Sequence, residues 1–458
     1  MTVAVELIRA VLRVNLWLDR HARAYARRRY FRFWKQSALL LIACVGVSMW
    51  LLLLTRGGGD DDADAASPDM NDLLAQIGRR DKYRKIIGIA RATTRYERAR
   101  VTIATQASVE YVHHVVDLTR RWDGPIVVAV YTPGDTYMAA TKTIELLRRC
   151  YPRVRAQVTF SLLYGDDQRP NRADKAKLFR LDETPCAELR FPLEVAGARQ
   201  TAKYGLYPVN AARNTARETV GTDHVLVMDI ELKPSAGLEQ AFLSMLARHR
   251  AAPDPRWQGH SIVYVLPVFE VEDGEKIPED KTQLVELLSA EKAVYFHKLR
   301  CGVCHKIPYY DMWTDTTYRS KDLDVFFVTK WVAPFWEPVF IGRFAFLRNS
   351  TKQQEPMYDE RFKGYGSNKI QQVFEMCLMD YEFHVLDGAF LVHEAFTIYE
   401  TRLKERGAII KANYRLLVDF AGEATARYRS QDCKLQRTGE ILGYFPDEQR
   451  YDPSARYT

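Results

Sequence analysis

Residues 101–131 decide the fold class, and they read VTIATQASVEYVHHVVDLTRRWDGPIVVAVY. The stretch opens with a short β-rich run over 101–105. It closes with a nearly continuous apolar run over 125–131, as expected of a strand that is buried on both faces. Between the two runs, the apolar residues of 110–122 recur at roughly helical spacing. The stretch therefore predicts a strand, a helix and a second strand.

The same alternation continues further along the chain. A helical pattern over 138–150 precedes a strand-like run over 158–163, and a helical segment over 208–219 precedes an apolar run over 224–228. Strands that alternate with helices of this length predict β-α-β units, and therefore an α/β fold with a mainly parallel sheet. The turn after the first strand, residues 105–108, lacks the glycine pattern of dinucleotide-binding folds, so a dinucleotide cofactor is disfavoured.

Charge and hydropathy at the N-terminus predict a membrane anchor. The net charge is +8, and residues 1–36 hold nine basic against two acidic residues, which accounts for +7 of it. Because the rest of the chain is nearly neutral, we do not expect nucleic-acid binding. Residues 37–55 are 19 uncharged and mostly apolar residues, enough for a helix that spans a bilayer. Basic residues before this run and acidic residues after it predict a single-pass protein with a cytosolic N-terminus. A cleaved signal peptide is the alternative reading, but its basic segment would be shorter.

This topology predicts five parts of the chain, with the folded region beginning between Asn71 and Val101. They are a cytoplasmic tail (1–36), a transmembrane signal anchor (37–55), a flexible acidic stem (56–95), the folded domain (96–430) and a C-terminal extension (431–458). In an oxidising lumen, one to three disulfides are expected among six cysteines, with a pairing that the sequence does not show. These are Cys150, Cys186, Cys301, Cys304, Cys377 and Cys433. The sequence Asn349-Ser350-Thr351 is a potential N-glycosylation site.

Two carboxylates follow the apolar run that ends at Met228. Asp229 and Glu231 would lie at the carboxyl edge of the sheet, where ligands gather in open α/β folds. On an extended backbone, residues two apart face the same side, so both carboxylates can point into one site. Hard oxygen donors suit Mn²⁺ or Mg²⁺, and such an ion could bridge a diphosphate. The pattern is common by itself, and a solvated strand end is the alternative reading.

Two segments around these carboxylates resemble the core of the glycosyltransferase family 49 domain. They are YPVNAARNTARE over 207–218 and VLVMDIELKPSAGL over 225–238. Four more stretches resemble the family in the same order, so that the resemblance covers roughly residues 100–420. They are ATQASV (104–109), WEPVFI (336–341), YDERFKGYGSNK (358–369) and YEFHVLDGAFLVH (381–393). The resemblance implies a GT-A fold, a single α/β domain that binds a nucleotide sugar.

The resemblance also implies a metal site. Asp229 and Glu231 would bind Mn²⁺, with His393 as the third protein ligand. The family usually has Asp at the last position of the motif, so Glu231 departs from it. For His393, the alternative is a hydrogen-bonded core residue.

Contacts to the nucleotide sugar are implied at two places. Thr105 and Gln106, at the end of the first strand, lie where the uridine is expected. Arg213 and Asn214 precede the metal-binding strand, and an arginine fork suits a phosphate or a uronate carboxylate. The alternative is a solvated surface helix that exposes Arg213 and Arg217.

Inverting sugar transfer needs one base to deprotonate the acceptor hydroxyl. Asp359 and Glu360 are the candidates, with a preference for Asp359, and the other carboxylate would orient an acceptor or pair with Arg361. A purely structural Asp/Glu/Arg network is the alternative.

Two cysteine features stand apart from this site. Residues 301–305 read CGVCH and match the attachment pattern of c-type haem, although a structural disulfide is favoured in a lumenal compartment. Cys377 stands where the family has a histidine, which puts equivalent acceptor contacts in doubt.

These features predict an inverting, Mn²⁺-dependent transferase of the Golgi lumen that uses a UDP-sugar and a glycan acceptor. The resemblance implies β1,4-glucuronyl transfer to a xylose-containing acceptor on O-mannosyl glycans, with assembly into homo-oligomers or with other Golgi transferases as one option. Alternatives are β1,3-N-acetylglucosaminyl transfer, a catalytically silent glycan-binding protein, and a redox protein that uses Cys301 and Cys304.

Overall fold

The computed structural model describes ten ranges of the chain. They are residues 69–170, 185–189, 201–253, 261–299, 301–315, 322–331, 334–343, 355–396, 403–429 and 433. The predicted tail, anchor and sequon at Asn349 lie outside these ranges, as does the C-terminal extension apart from Cys433. In the ranges described, no helix combines the length and hydrophobicity that a membrane span requires.

Helices and strands alternate through the first half of the described chain. The α-helices are α1 (Met70–Leu74), α2 (Val115–Arg121), α3 (Thr136–Cys150), α4 (Pro152–Gln157), α5 (Val209–Glu218), α6 (Leu238–Ala251), α7 (Lys281–Ser289), α8 (Tyr310–Thr314), α9 (Ile370–Leu378) and α10 (Leu403–Tyr428). The strands are β1 (Tyr83–Ala90), β2 (Val101–Ser108), β3 (Ile126–Tyr131), β4 (Val158–Gly165), β5 (His224–Val227), β6 (Lys233–Pro234), β7 (Ser261–Leu266), β8 (Val268–Val271), β9 (Ala293–Tyr295), β10 (Asp324–Thr329), β11 (Val339–Arg343), β12 (Tyr381–Asp387) and β13 (Leu391–Glu394). The predicted succession of strands and helices from residue 101 to residue 228 is confirmed.

The strands form two sheets. The larger has nine strands in the order β1-β4-β3-β2-β5-β11-β7-β12-β10, and the smaller has four in the order β6-β13-β8-β9. In the larger sheet, β2, β3, β4, β5, β7 and β12 run in one direction, whereas β1, β10 and β11 run against them. The sheet is therefore mixed, with a parallel majority. The hydrophobic pattern could not show this, because strand direction depends on where each connection crosses the sheet.

Strand β1 falls inside the range predicted for the start of the folded region, 71–101, and shortens the predicted stem. It lies within residues 56–95, which the sequence assigns to a flexible stem, yet it pairs antiparallel with β4 from Tyr83 to Ala90. Its burial is mixed along its length, and Ile87 and Ile89 remain exposed. A strand at the edge of a sheet is held by its ladder of backbone hydrogen bonds, so its sequence need not be as apolar as that of a central strand.

The continuous apolar run of β3 follows from packing on both faces of the sheet. Every residue of β3 is buried. Val128 and Val130 face a cluster that includes residues of α2, α3 and α4. Val127 and Ala129 face a second cluster that includes Ala211, Ala212 and Ala216 of α5. Since each face meets helices, no position of this strand is left for a polar side chain.

Six described cysteines form three disulfides, within the number that the sequence predicts. The pairs are Cys150–Cys186, Cys301–Cys304 and Cys377–Cys433. The structural reading of the CGVCH segment is thus supported by a disulfide between its two cysteines. Cys377 of α9 connects this helix to Cys433, which gives the departure from the family's histidine a structural role.

Candidate active site

Asp229 lies at the carboxyl edge of the large sheet and receives three hydrogen bonds. The parallel register of β2 and β5 pairs Ala104 with Val227, which brings Asp229 level with Gln106. Gln106 Nε2 donates to Asp229 Oδ1 over 2.8 Å, Arg213 donates to the same oxygen over 3.2 Å, and Lys369 Nζ donates to Oδ2 over 3.0 Å. Burial opposes ionisation, but the charges of Lys369 and Arg213 outweigh it and hold the pKa of Asp229 well below its usual range.

The backbone around this carboxylate is a turn and not the extended segment that the sequence suggested. Strand β5 ends at Val227, and Leu232 donates its backbone N–H to the Asp229 carbonyl over 3.1 Å. That bond is the i to i+3 closure of a β-turn, with Glu231 at its third position. The predicted extended alternation was therefore wrong, although the turn still brings both carboxylates within electrostatic reach of each other.

His393 reaches the same turn through the small sheet. β6 begins directly after the turn, and β13 pairs antiparallel with it through Val392 and Lys233. Extending this register by one residue brings His393 level with Leu232, next to Glu231. Burial raises the pKa of Glu231, and the negative charge of Asp229 adds to the effect, whereas His393 opposes it.

Asp229, Glu231 and His393 offer oxygen and nitrogen donors that suit a divalent cation, although the three side chains do not lie close enough together to form a ready-made site. Within the described ranges, no group of three or more His, Cys, Asp or Glu side chains is arranged to hold a metal ion as it stands. His393 Nδ1 lies 3.0 Å from the carbonyl oxygen of Ala395, which can only accept a hydrogen bond. The neutral ring therefore carries its hydrogen on Nδ1 and leaves the lone pair on Nε2, as in metal-binding histidines. Glu231 is a half-buried carboxylate whose charge a cation would balance.

Helix α5 presents its polar side chains to the interior. Arg213 is 3% exposed and Arg217 is 0% exposed, so the alternative of a solvated helix is wrong. Arg213 donates to Asn210 Oδ1 over 3.1 Å and to Asn368 Oδ1 over 2.8 Å, in addition to Asp229. Arg217 instead donates to the carbonyl of Pro356 over 2.8 Å. The two arginines thus have separate roles, and Arg213 belongs to the site.

A glycine-containing loop before α9 positions Lys369. Gly364 and Gly366 have φ values of +65° and +98°, in the left-handed region that favours glycine. A Cβ atom on Gly366 would lie 3.1 Å from the Cα atom of Ile410 in α10. Gly364 N–H donates to the Tyr207 carbonyl over 2.8 Å, which anchors the loop next to α5. The loop can therefore approach both helices closely and aim Lys369 at Asp229.

Other predicted site residues are engaged elsewhere. Asp359 accepts from the backbone N–H of Arg361 and from its guanidinium over 2.7 to 3.1 Å, and Arg361 also binds Glu423 of α10. Glu360 accepts from Asn214 over 3.0 Å and lies 3.5 Å from Lys85 of β1. Asp359, Glu360 and Arg361 therefore form the structural network that the sequence left open as an alternative to a catalytic base. Within it, Asp359 is the residue that pairs with Arg361.

Asn214 and Thr105 are also separate from the cluster around Asp229. Asn214 donates to the Tyr358 carbonyl over 2.8 Å and accepts from the Tyr358 N–H over 3.0 Å, so both ends of its amide hold the chain segment beside α5. Thr105 is 0% exposed. It alternates with Gln106 along β2 and so faces the opposite side of the sheet. Gln106 is the member of that pair which reaches Asp229.

Four residues of the cluster were missed by sequence reasoning: Asn368, Lys369, Glu337 and His305. The pKa of His305 falls to about 3 through burial, with a contribution from Lys369. The pKa of Glu337 is raised by burial, and Lys369, Arg213 and Asp229 all act on it electrostatically. Three of the four stand in stretches that carry the family resemblance, 336–341 and 358–369, which is the signal that could have identified them.

Comparison with known sequences identifies the family. The sequence model of the family described as "glycosyl-transferase for dystroglycan" matches residues 100–429. The chain belongs to this family. The protein is a glycosyltransferase, and the described β-α-β units, the Asp229 turn and the loop that bears Lys369 all lie within the matched residues.

Curated relatives agree with this assignment. Beta-1,4-glucuronyltransferase 1 of Danio rerio is 30% identical over 72% of this chain and 74% of its own length. The Homo sapiens protein of the same name is 29% identical over 80% and 85%. LARGE2 of Rattus norvegicus, a xylosyl- and glucuronyltransferase, is 25% identical over 73% of this chain and 40% of its own. Among solved structures, S. aureus TarS aligns over 70% of this chain and 65% of its own at 10% identity, with a TM-score of 0.32.

Proposed function

We propose that the protein is an inverting glycosyltransferase of GT-A type that transfers glucuronate from UDP-glucuronate to a xylose-containing acceptor on O-mannosyl glycans. In this proposal it is a type II protein of the Golgi membrane, anchored by residues 37–55, with its catalytic domain in the lumen. The sequon at Asn349 would then face the glycosylation machinery. All parts of this proposal rest on the family, its curated relatives and the chemistry of the cluster around Asp229.

The observation that carries the donor assignment is the pair of cations on Asp229. Arg213 is buried and Lys369 is nearly so, and each donates to one oxygen of the same carboxylate. Two cations share one directly bound carboxylate, so the cluster can take a further anion. A nucleoside diphosphate attached to a uronate supplies several negative charges, and the planar fork of Arg213 suits a phosphate or a carboxylate.

Mn²⁺ would be held by Asp229, Glu231 and His393. When bound, it would supply positive charge that stabilises the diphosphate as it leaves. The chain's own residues prepare the site for this: Gln106 and Arg213 fix the orientation of the Asp229 carboxylate, and Lys369 binds its other oxygen. The bond from His393 to Ala395 keeps the imidazole in the tautomer that can bind a metal.

A donor screen tests the proposal. The full-length chain is incubated with a simple β-xyloside and with UDP-glucuronate, UDP-N-acetylglucosamine or UDP-xylose, each with Mn²⁺ or with a chelator. We expect transfer from UDP-glucuronate in the presence of Mn²⁺ and its loss with the chelator. Transfer from UDP-N-acetylglucosamine instead would favour the other activity considered from the sequence. Absence of both UDP binding and turnover under every condition would contradict the enzyme proposal.

A further inference from the structure

The CGVCH segment contacts the backbone of one residue next to the active site, Glu337. Glu337 donates its N–H to the carbonyl of Cys304 over 2.7 Å. Its own carbonyl lies 2.9 Å from Nδ1 of His305, which must therefore donate. The Cys301–Cys304 disulfide closes the loop that carries both contacts. Glu337 is thus held on both sides of its Cα atom by a covalently closed segment.

The sheet register brings Glu337 to the edge where Asp229 lies. β11 runs antiparallel to β5, and Ile341 pairs with Leu226. The start of β11 is consequently at the end of β5, with Val339 level with Met228. Glu337 precedes β11 by two residues and so lies near the end of β5 that leads into the Asp229 turn, in agreement with the electrostatic effect of Asp229 on it.

The side chain of Glu337 lies within electrostatic range of Lys369, Arg213 and Asp229 at this edge. It makes no hydrogen bond and no ion pair with the part of the chain that the structure describes, and it keeps part of its surface exposed. Lys369, Arg213 and Asp229 are near enough to affect its ionisation, and burial raises its pKa. A carboxylate whose pKa is raised in this way accepts a proton more readily than a solvated one.

The other carboxylates considered for the base have partners of their own. Asp229 receives three hydrogen bonds, and Glu231 lies within electrostatic range of His393 and is a proposed metal ligand. Asp359 is bound by Arg361, and Glu360 is bound by Asn214. Each would have to give up an ion pair, a hydrogen bond or its metal-binding role before it could accept a proton from a sugar hydroxyl.

We propose that Glu337 is the catalytic base that deprotonates the acceptor hydroxyl, and that the disulfide-closed Cys301–His305 segment positions it. This inference rests on the proposed transferase function. A lone pair on the acceptor oxygen forms the new bond to the anomeric carbon. The bond from that carbon to the β-phosphate oxygen breaks, and its electron pair leaves on UDP. The hydroxyl O–H bond breaks as well, and its proton goes to the Glu337 carboxylate, which later releases it to water.

The test compares Glu337→Gln with the wild type in the full-length chain. Glutamine keeps the shape and removes the basic oxygen, and a neutral side chain is well tolerated where burial already disfavours charge. We expect the kcat for transfer from UDP-glucuronate to a β-xyloside to fall at least about 100-fold. The melting temperature and the affinity for UDP with Mn²⁺ should stay near those of the wild type. Glu337→Ala, with the same three measurements, covers the case in which the amide perturbs folding.

Two controls separate the possible failures. Glu145→Gln removes a carboxylate that is 64% exposed on α3 and should leave all three measurements unchanged. Asp359→Asn tests the rival assignment.

If the wild type transfers sugar and Glu337→Gln keeps more than one tenth of its kcat, the inference is overturned while the proposed function stands. Loss of transfer with intact UDP binding in Asp359→Asn alone would also overturn it. If the wild type neither binds UDP nor transfers sugar, the proposed function itself fails.

Discussion

At Asp229, donors from three separate elements converge on one side chain. Gln106 comes from β2, Arg213 from α5 and Lys369 from the end of the loop before α9. Two of the three donors are cations, so the carboxylate is held ionised although it is only partly exposed. The arrangement fixes a negative charge at the place where the family resemblance puts a metal.

Asp229→Asn should therefore abolish turnover. The amide cannot balance Arg213 and Lys369 and is a poor ligand for Mn²⁺, so we expect kcat/KM with UDP-glucuronate to fall at least about 100-fold. Asp223→Asn is the matched control at the opposite end of β5, where Asp223 forms an exposed ion pair with Arg98, and it should change activity little. Glu231→Asp restores the residue usual in the family and should keep activity. An Asp229→Asn enzyme with wild-type turnover would exclude a metal or donor role for this carboxylate.

At the scale of elements, the segment 301–305 acts as a support for the strand that follows Glu337. His305 is neutral because burial and Lys369 lower its pKa to about 3, so its Nδ1 hydrogen is available to the Glu337 carbonyl across the physiological range. His305 touches no reacting group in this arrangement, and its role is that of a positioning residue.

Two substitutions of His305 test this role. Asparagine places an amide N–H near the position of Nδ1, whereas phenylalanine fills the volume without a donor. We expect His305→Phe to lower kcat by roughly 10-fold or more with UDP affinity unchanged, and His305→Asn to recover most of the loss. Steady-state kinetics with separate values of kcat and KM check the prediction. Equal kcat values for the two variants would show that the hydrogen bond does not matter for catalysis.

The loop before α9 is a second positioning element, and α10 supports it. Asn413 of α10 donates to the carbonyls of Lys363 and Tyr365 over 2.8 and 3.0 Å, so the loop is held from the side opposite α5. Its closest approach to α10 is at Gly366, where a side chain would meet the helix backbone.

Gly366→Ala should consequently destabilise the fold and displace Lys369. A positive φ and a contact with backbone cannot both be relieved, and we expect a loss of about 1–3 kcal/mol in the free energy of unfolding together with weaker UDP binding. Gly407→Ala is the matched control on α10, because no atom lies within 4 Å of its added Cβ. That variant should gain roughly 1 kcal/mol from helix propensity. Denaturant unfolding and UDP titration measure both effects, and equal stability of the two variants would contradict the proposed close approach.

At the scale of the whole molecule, a buried contact between an arginine and a glutamate links α5 to the chain that leads to the site. Arg217 and Glu355 lie 3.6 Å apart, and neither is more than 3% exposed. Burial raises the pKa of Glu355 to about 7, although the charge of Arg217 opposes the rise. The folded protein therefore keeps a proton on Glu355 at pH values where the unfolded chain has released it.

This difference predicts a pH dependence of stability. The pKa of Glu355 is higher in the folded protein than in the unfolded chain. Its contribution to the free energy of unfolding is therefore complete below about pH 4.5 and is lost as the pH rises through about 7. Glu355→Gln removes the titration. Between pH 5 and pH 8 we expect the wild type to lose on the order of 3 kcal/mol more unfolding free energy than this variant. Denaturant unfolding at several pH values measures the slopes, and parallel slopes would show that Glu355 does not titrate in this range.

Local patterns of the sequence determined the secondary structure from residue 101 to residue 228 and placed Asp229 at the end of a buried strand. They could do so because hydrophobic periodicity reports the burial of each element directly. The family resemblance added His393 and the block that contains Lys369. Strand direction, the start of the sheet at β1 and the pairing of the disulfides were beyond these patterns, since each depends on segments far apart in the chain.

Tertiary structure alone decided which polar residues share the site. Asp359, Glu360 and Asn214 look like site residues in the sequence, but folding gives each a structural partner. Glu337 and Lys369 show no periodicity or charge pattern that marks them, although both stand in stretches that resemble the family; an antiparallel strand and a glycine-containing loop bring them to Asp229. The sequence thus determined what kind of enzyme the chain encodes and where its sheet edge lies. The long-range contacts decided which charges meet there, because an electrostatic partner is defined by distance in space and not by separation along the chain.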